Sequence, residues 1–323
     1  MRHNKSAFRN SLIMSVLLLL ASGSVFAQAT RTWVSGVGDD ANPCSRTAPC
    51  KTWAGAISKT AAGGIINCID PGGFGAVTIT KSMTISCKHV EGSALASSTT
   101  GIIINGANID VVLRGLDIDG SPPTSPGING IRFLQGASLI VEECSIRDFG
   151  SAAPNGNGIL VNNTSLIAEI HVVNSNITGN GNGAGGAGIQ IIPTGTGGAR
   201  VTVTNSNFSN NTIGIRADSA GTSGGIVVTV ADSTAAGAPY HGFVALGGSG
   251  PVRMMLNHVV TANNLGEGVR SVGANAVVRI GNSVVTGNGT GLVVSGGGVI
   301  QSYGNNQING NGVDGTANPV NLQ

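Results

Sequence analysis

The residues best suited to chemistry fall in two short phrases, "RGLDIDG" and "CSIRDFG", which carry Asp117, Asp119, Arg147 and Asp148. Carboxylates beside a guanidinium could serve acid–base hydrolysis, in which one carboxyl holds a proton and the other does not, or calcium-assisted elimination. The plainer account is a solvated turn with a lateral ion pair, worth under about 1 kcal/mol. On that account no residue of the chain is assigned a catalytic role, and these four are the candidates if one exists. His171, His241 and His258 follow no metal-ligand spacing. No Gly-x-Ser-x-Gly elbow stands out, and the glycine-rich "GNGNGAGGAG" lacks a following helix and lysine. Asp39 and Asp40 read as loop residues.

Such residues need elements to position them, and the sequence supplies these as a repeat. The pairs Asn174-Ser175, Asn205-Ser206, Asp232-Ser233, Asn257-His258, Asn282-Ser283 and Asn305-Asn306 follow one another at 31, 27, 25, 25 and 23 residues. A second series marches with the first: Gly130-Ile131, Gly158-Ile159, Gly188-Ile189, Gly214-Ile215, Gly242-Phe243, Gly268-Val269 and Gly291-Leu292. Two residues before each Asn or Asp stands an apolar one, Val172, Val203, Val230, Met255, Ile280 and Tyr303, alternating with outward positions as a half-buried strand requires. A short strand, a tight turn and a second strand, repeated at this period with dense glycine, predict an all-β chain: a single-stranded right-handed parallel β-helix, or solenoid.

In such a stack, like side chains meet from coil to coil. Asn174, Asn205, Asn257, Asn282 and Asn305 are expected to form a structural ladder at one bend. Asn180, Asn211, Asn263, Asn288 and Asn311 are expected to repeat it at the next.

The chain so patterned resembles the right-handed parallel β-helix proteins of the pectin-lyase-like superfamily, from about Gly75 to the C-terminus. The stretch "DDANPCSRTAPCKTWAGAISKTAAGGIINCIDPGGFGAVTITKSMTISC" is also similar to the N-terminal part of secreted bacterial β-helix proteins. The superfamily's polysaccharide-degrading members imply carboxylates, with arginine or calcium, converging on outward strand positions of neighbouring coils. Read for that, the strands that begin with Gly present Arg132, Leu160, Gln190, Arg216, Val244, Arg270 and Val293, with no acidic partner for the arginines. The strands that end in Asn present Glu142, His171, Val173, Thr202, Thr204, Thr229, Met254, Leu256 and Arg279. Glu142 and His171 sit at different offsets. A flat threonine grid of the ice-binding kind stops at Thr202 and Thr204.

The ends complete the plan. Arg2, Lys5 and Arg9 precede an apolar run from Leu12 to Ala21, and small residues follow at Val25 and Ala27, so residues 1–27 read as a secretory signal. The run is too short for a membrane anchor, which needs about 20 residues. Removing it takes three of the 17 basic residues and none of the 15 acidic ones. The remainder is near neutral and offers no electrostatic footprint for nucleic acid.

Residues 28–74 are expected to form an N-terminal cap with disulfides and residues 75–323 the β-helix. "TWAGAISKTAAGG" predicts a short capping helix with Thr52 as N-cap, Trp53, Ala56, Ile57 and Thr60 on one face, and Gly63 as stop. Four of the five cysteines, Cys44, Cys50, Cys68 and Cys87, are spaced for two bridges in an exported protein. Three connectivities exist, of which Cys44–Cys50 and Cys68–Cys87 is favoured. A zinc site lacks the histidines and CxxC spacing it would need. Cys144 stands in the repeat position of Ser175 and Ser206 and reads as a buried thiol.

The reading is an exported protein, periplasmic or extracellular, that presents an elongated surface to polysaccharide or to another envelope protein without catalysis. It expects no cofactor, no metal and no membrane span after the signal. The alternative is a polysaccharide lyase or glycoside hydrolase, the one case in which calcium would be expected.

Overall fold

The computed structural model describes residues 28–121, 124–183 and 185–321. The signal-peptide reading of residues 1–27 lies outside them. Three sheets of parallel strands run the length of a solenoid of about 10 turns. The first sheet has 12 strands from Ala29–Val34 to Asn318–Pro319, the second nine from Val77–Ile79 to Thr290–Ser295, and the third ten from Gly72–Gly73 to Gln307–Ile308. One coil illustrates the path: Ile189–Ile191 in the second sheet, Gly198–Thr204 in the first, Asn207–Ser209 in the third, then Ile213–Asp218 back in the second.

The alternation seen in sequence sets the core. Val201 and Val203 are buried while Thr202 and Thr204 between and beyond them are half-buried on the outer face. Strand register stacks Leu139, Ile170, Val201, Val228, Met254, Val278 and Ile300 in one inner column. Each buried aliphatic side chain in such a column contributes roughly 1.5–3 kcal/mol relative to exposure. One coil departs from the expected alternation. Met254 and Leu256 point inward and Met255 outward, because the residue in left-handed conformation at that bend is His258 (φ 52°), not Asn257. Likewise Tyr303 is not an inner residue. Ser302 takes the place opposite Ile280, and the tyrosine is left half-buried at the surface.

The expected ladder of Asn174, Asn205, Asn257, Asn282 and Asn305 is corrected in the same way. Asn174, Asn205 and Asn282 take the left-handed corner (φ 50°, 48° and 51°), and side-chain amides join only Asn257, Asn282 and Asn305 at the C-terminal coils. Beside this corner runs a hydroxyl ladder: Ser175, Ser206 and Ser233 Oγ each accept from the backbone N–H of the coil before, at 3.1–3.2 Å.

The buried asparagine ladder lies at the next bend. Asn180 donates to Asn211 Oδ1 at 2.9 Å, Asn264 to Asn288 at 2.7 Å and Asn288 to Asn311 at 2.9 Å. Asn264, not Asn263, holds the place in that column, since Asn263 is itself the left-handed residue (φ 57°). At this bend the corner residue immediately precedes the ladder residue.

At the N-terminal end, the helix Trp53–Lys59 begins where Thr52 Oγ1 accepts the Gly55 N–H at 2.9 Å. It stops at Lys59, short of Gly63, because Thr60 opens the strand Thr60–Cys68. Trp53 is fully buried and meets the Phe74 ring at 5.7 Å, which places the helix over the first coil. The strands Ala29–Val34 and Thr60–Cys68 pair with each other and continue into the first sheet. Cap and solenoid therefore share a sheet and do not meet at a boundary near residue 75. Disulfides join Cys44 to Cys50 and Cys68 to Cys87. Among the described residues no helix is long and apolar enough to cross a membrane.

Candidate functional site

The four charged residues named from the sequence converge. Asp117 and Asp119 lie on the outer face of Leu116–Asp119, and the neighbouring strand places Ser145 opposite Asp117 and Arg147 opposite Asp119. Arg147 is bidentate to Asp117, with one arm at 3.0 Å, and reaches Asp119 at 2.9 Å; Asp148 stands 4.0 Å away. The hydrogen bond and charge of Asp117 raise the guanidinium pKa against the opposing effect of burial. Asp148 occupies a left-handed corner (φ 64°). Partial burial, followed by the charge of Asp119, pushes its carboxyl above the usual carboxylate range, with Arg147 opposing. A hollow of about 620 Å³, lined by Asp119, Asp148, Ser121 and Asn182 among others, opens beside them.

The upward-shifted Asp148, beside the Asp119 that Arg147 holds, has the electrostatic character of an acid. A calcium ion between Asp117 and Asp119 does not fit the side chains present. Arg147 fills the position between Asp117 and Asp119 that a cation would take. Among the described residues no three His, Cys, Asp or Glu side chains are placed to hold a metal ion. Glu142 does not meet His171: it pairs with Arg114 at 2.6 Å, while His171 faces Ile140 and Thr202 in register. Cys144 is buried, and burial pushes its thiol up to about 12, which removes it as a nucleophile at neutral pH.

A second cluster was missed from the sequence. The outward row of the second sheet runs in register from Arg132 through Leu160, Gln190, Arg216, Val244 and Arg270 to Val293. Two of the three arginines do have acidic partners, while Arg132 Nε donates to Asn162 Oδ1 at 3.4 Å. Arg216 binds Asp218 at 2.8 Å, and Arg270 approaches Glu267 at 3.4 Å. Glu267 also contacts His241 of the adjacent strand. The Arg216 partner was legible, since residues i and i+2 of a strand share a face. The Glu267–His241 contact joins neighbouring coils 26 residues apart.

This row is sheltered. Leu160, Val244 and Gln190 face outward yet are almost fully buried, and Val244 packs with Ala187, Ile213 and Leu246 in a small apolar cluster outside the main core. Gln190 Oε1, Arg216 Nε and Arg270 Nε are buried atoms with no hydrogen-bond partner among the described residues. The Tyr240 ring, partly exposed, stands edge-on to His241 at 6.1 Å.

Burial lowers the His241 pKa below 6.5; the Glu267 charge opposes this, and Arg270 and Arg216 add to it. Below pH 6.5 the unfolded chain therefore binds this proton more readily than the folded one. Stability is expected to fall as pH drops from about 6.5 and to level off below the lowered folded value. Urea unfolding across this range, compared with His241→Gln, checks it: the substitution should remove that segment of the slope.

The chain matches no protein family by sequence profile, and no curated protein is similar to it in sequence. In three dimensions it is similar to the crystal structure of pectate lyase Pel9A, with a TM-score of 0.66 and 15% identity over 90% of this chain and 77% of that one. At that identity the likeness establishes the fold, a right-handed parallel β-helix of the pectin-lyase-like type.

Proposed function

We propose that this chain is an exported β-helix that binds a neutral polysaccharide along the outer face of its second sheet, without cleaving it. The observation that carries the reading is the row of sheltered, unpartnered polar atoms at Gln190, Arg216 and Arg270, interleaved with Leu160 and Val244. A buried polar atom without a partner costs about 1–3 kcal/mol, which is recovered when the side chains sheltering it shift to admit a sugar hydroxyl. Coils rise by about 4.8 Å, close to the length of one hexose in an extended chain, so a glycan lying along the row meets roughly one coil per sugar. Tyr240 offers a ring at the edge of the row for the apolar face of a sugar. Because Asp218 and Glu267 already balance Arg216 and Arg270, a uronate would be repelled at these two positions and a neutral sugar would not. The two disulfides fit an oxidising, exported setting.

Binding is expected to fall about 100-fold when Arg216→Gln and Arg270→Gln are combined, from about 1.4 kcal/mol at each position. Titration calorimetry against neutral glucans, galactans and mannans, with melting curves as a control for folding, measures this. Unchanged binding in the double variant would sink the reading.

One observation favours a second reading, a polysaccharide hydrolase. It is the hollow beside Asp119 and Asp148, where a carboxyl shifted upward faces one held by a guanidinium. It ranks below the first because the Asp148 side chain is 57% exposed, which is poor shelter for a catalytic proton.

A further inference from the structure

The outer face of the first sheet ends, at its C-terminal coils, in a hollow that shares no residue with the row on the second sheet. Met255, Arg279 and Gln301 are register neighbours on three successive coils. Two positions along, Asn257 is paired with Gly281, which has no side chain and so leaves a notch. The Tyr303 ring lies over that notch: a Cβ on Gly281 would stand 3.0 Å from Tyr303 Cδ2. The resulting hollow has a volume of about 550 Å³.

Its polar groups are partly committed and partly free. Asn282 donates to Asn257 Oδ1 at 3.0 Å and Asn305 to Asn282 Oδ1 at 2.8 Å, which uses one N–H of each terminal amide and leaves the other. Gln301 Oε1 is buried without a partner among the described residues. Arg279 is exposed and forms no salt bridge among the described residues, and no Asp or Glu lines the hollow.

We propose that this hollow binds a sugar unit carrying an anionic group, a carboxylate or a sulfate ester. Arg279 presents a planar fork of donors that matches either group in a bidentate manner. Tyr303 and Met255 flank that contact, and the ring supplies a face for the sugar. The spare amide N–H groups remain for hydroxyls. The contrast with Arg216 and Arg270 on the second sheet is one of charge: each of those two is balanced by a carboxylate, whereas Arg279 is unbalanced. The site is therefore independent of the neutral-glycan face and selects the opposite kind of sugar.

The test is calorimetry of the purified chain with three oligosaccharides of equal length: an oligogalacturonate, a sulfated galactan fragment and an uncharged galactan fragment. At least one anionic probe should bind, more weakly as salt is raised, and the better of the two identifies the group. Arg279→Gln should weaken that binding about tenfold at unchanged melting temperature and leave the uncharged probe unaffected. Binding of neither anionic probe, or equal binding by Arg279→Gln, overturns the proposal. So does loss of the anionic probe in Arg216→Gln, which would place the anion on the second sheet; failure of the uncharged probe alone bears only on the neutral-glycan reading.

Discussion

Asn211→Ala is expected to destabilise the protein by on the order of 3–5 kcal/mol, one of the two largest effects predicted for a change on this chain. Asn211 is fully buried, and its amide closes three contacts at once. Its Oδ1 accepts the Asn180 backbone N–H at 3.0 Å and the Asn180 side chain at 2.9 Å, and its Nδ2 donates to Ile177 O at 2.7 Å. Alanine leaves two donors and one acceptor of neighbouring coils unsatisfied in a space closed to water. The control is Asn205→Gly, at a left-handed corner (φ 48°) whose side chain forms no hydrogen bond among the described residues. Glycine adopts that conformation freely, so a change within about 0.5 kcal/mol is expected. Denaturant unfolding of the two variants side by side separates the ladder from the corner. Equal effects would mean that the buried amide column does not hold the coils together.

Removing the Cys68–Cys87 bridge by paired serine substitutions should cost about 3 kcal/mol, the value expected for a cross-link closing 19 residues. The bond ties the strand Thr60–Cys68 to the segment after Met83–Ser86, its neighbour in the first sheet, just where the helix Trp53–Lys59 covers the solenoid. It also packs against Gly92, where an added Cβ would run into Cys87 Sγ. The loss should therefore be felt first as faster amide exchange in residues 60–95, with the central coils little changed. The Cys44–Cys50 bridge spans only 6 residues, and its removal should cost about 2 kcal/mol. If both bridges could be removed without loss of stability, the cap would be held by Trp53 and its neighbours alone.

The period of the repeat, the inner column around Val201 and the capping helix were legible because burial writes a period of two into the strands and a stop into the turns. The bends were legible less well. Asn257 looks like a corner residue and Asn263 like a ladder residue, yet His258 and Asn263 are the left-handed ones; the corner is one position from where the spacing puts it, and only backbone conformation shows this. That single-residue ambiguity is also what turned Met254 and Leu256 inward. The cluster Asp117, Asp119, Arg147 and Asp148 could be named because its members recur at the repeat spacing. The pairing of His241 with Glu267, and the notch at Gly281 that receives Tyr303, depend on which residues of neighbouring coils lie side by side. One strand slipped by one position would face the other way, so a sequence period that varies from 23 to 31 residues does not determine them.

The most direct test of the account is a single assay of the purified chain against neutral and acidic polysaccharides. It follows binding by calorimetry together with the release of reducing or unsaturated ends, in wild type, Arg216→Gln with Arg270→Gln, and Asp148→Asn. The account predicts binding of a neutral glycan that is lost in the double arginine variant, unchanged in Asp148→Asn, and accompanied by no new ends. Release of ends that disappears in Asp148→Asn would contradict it and move the function to the hollow beside Asp119.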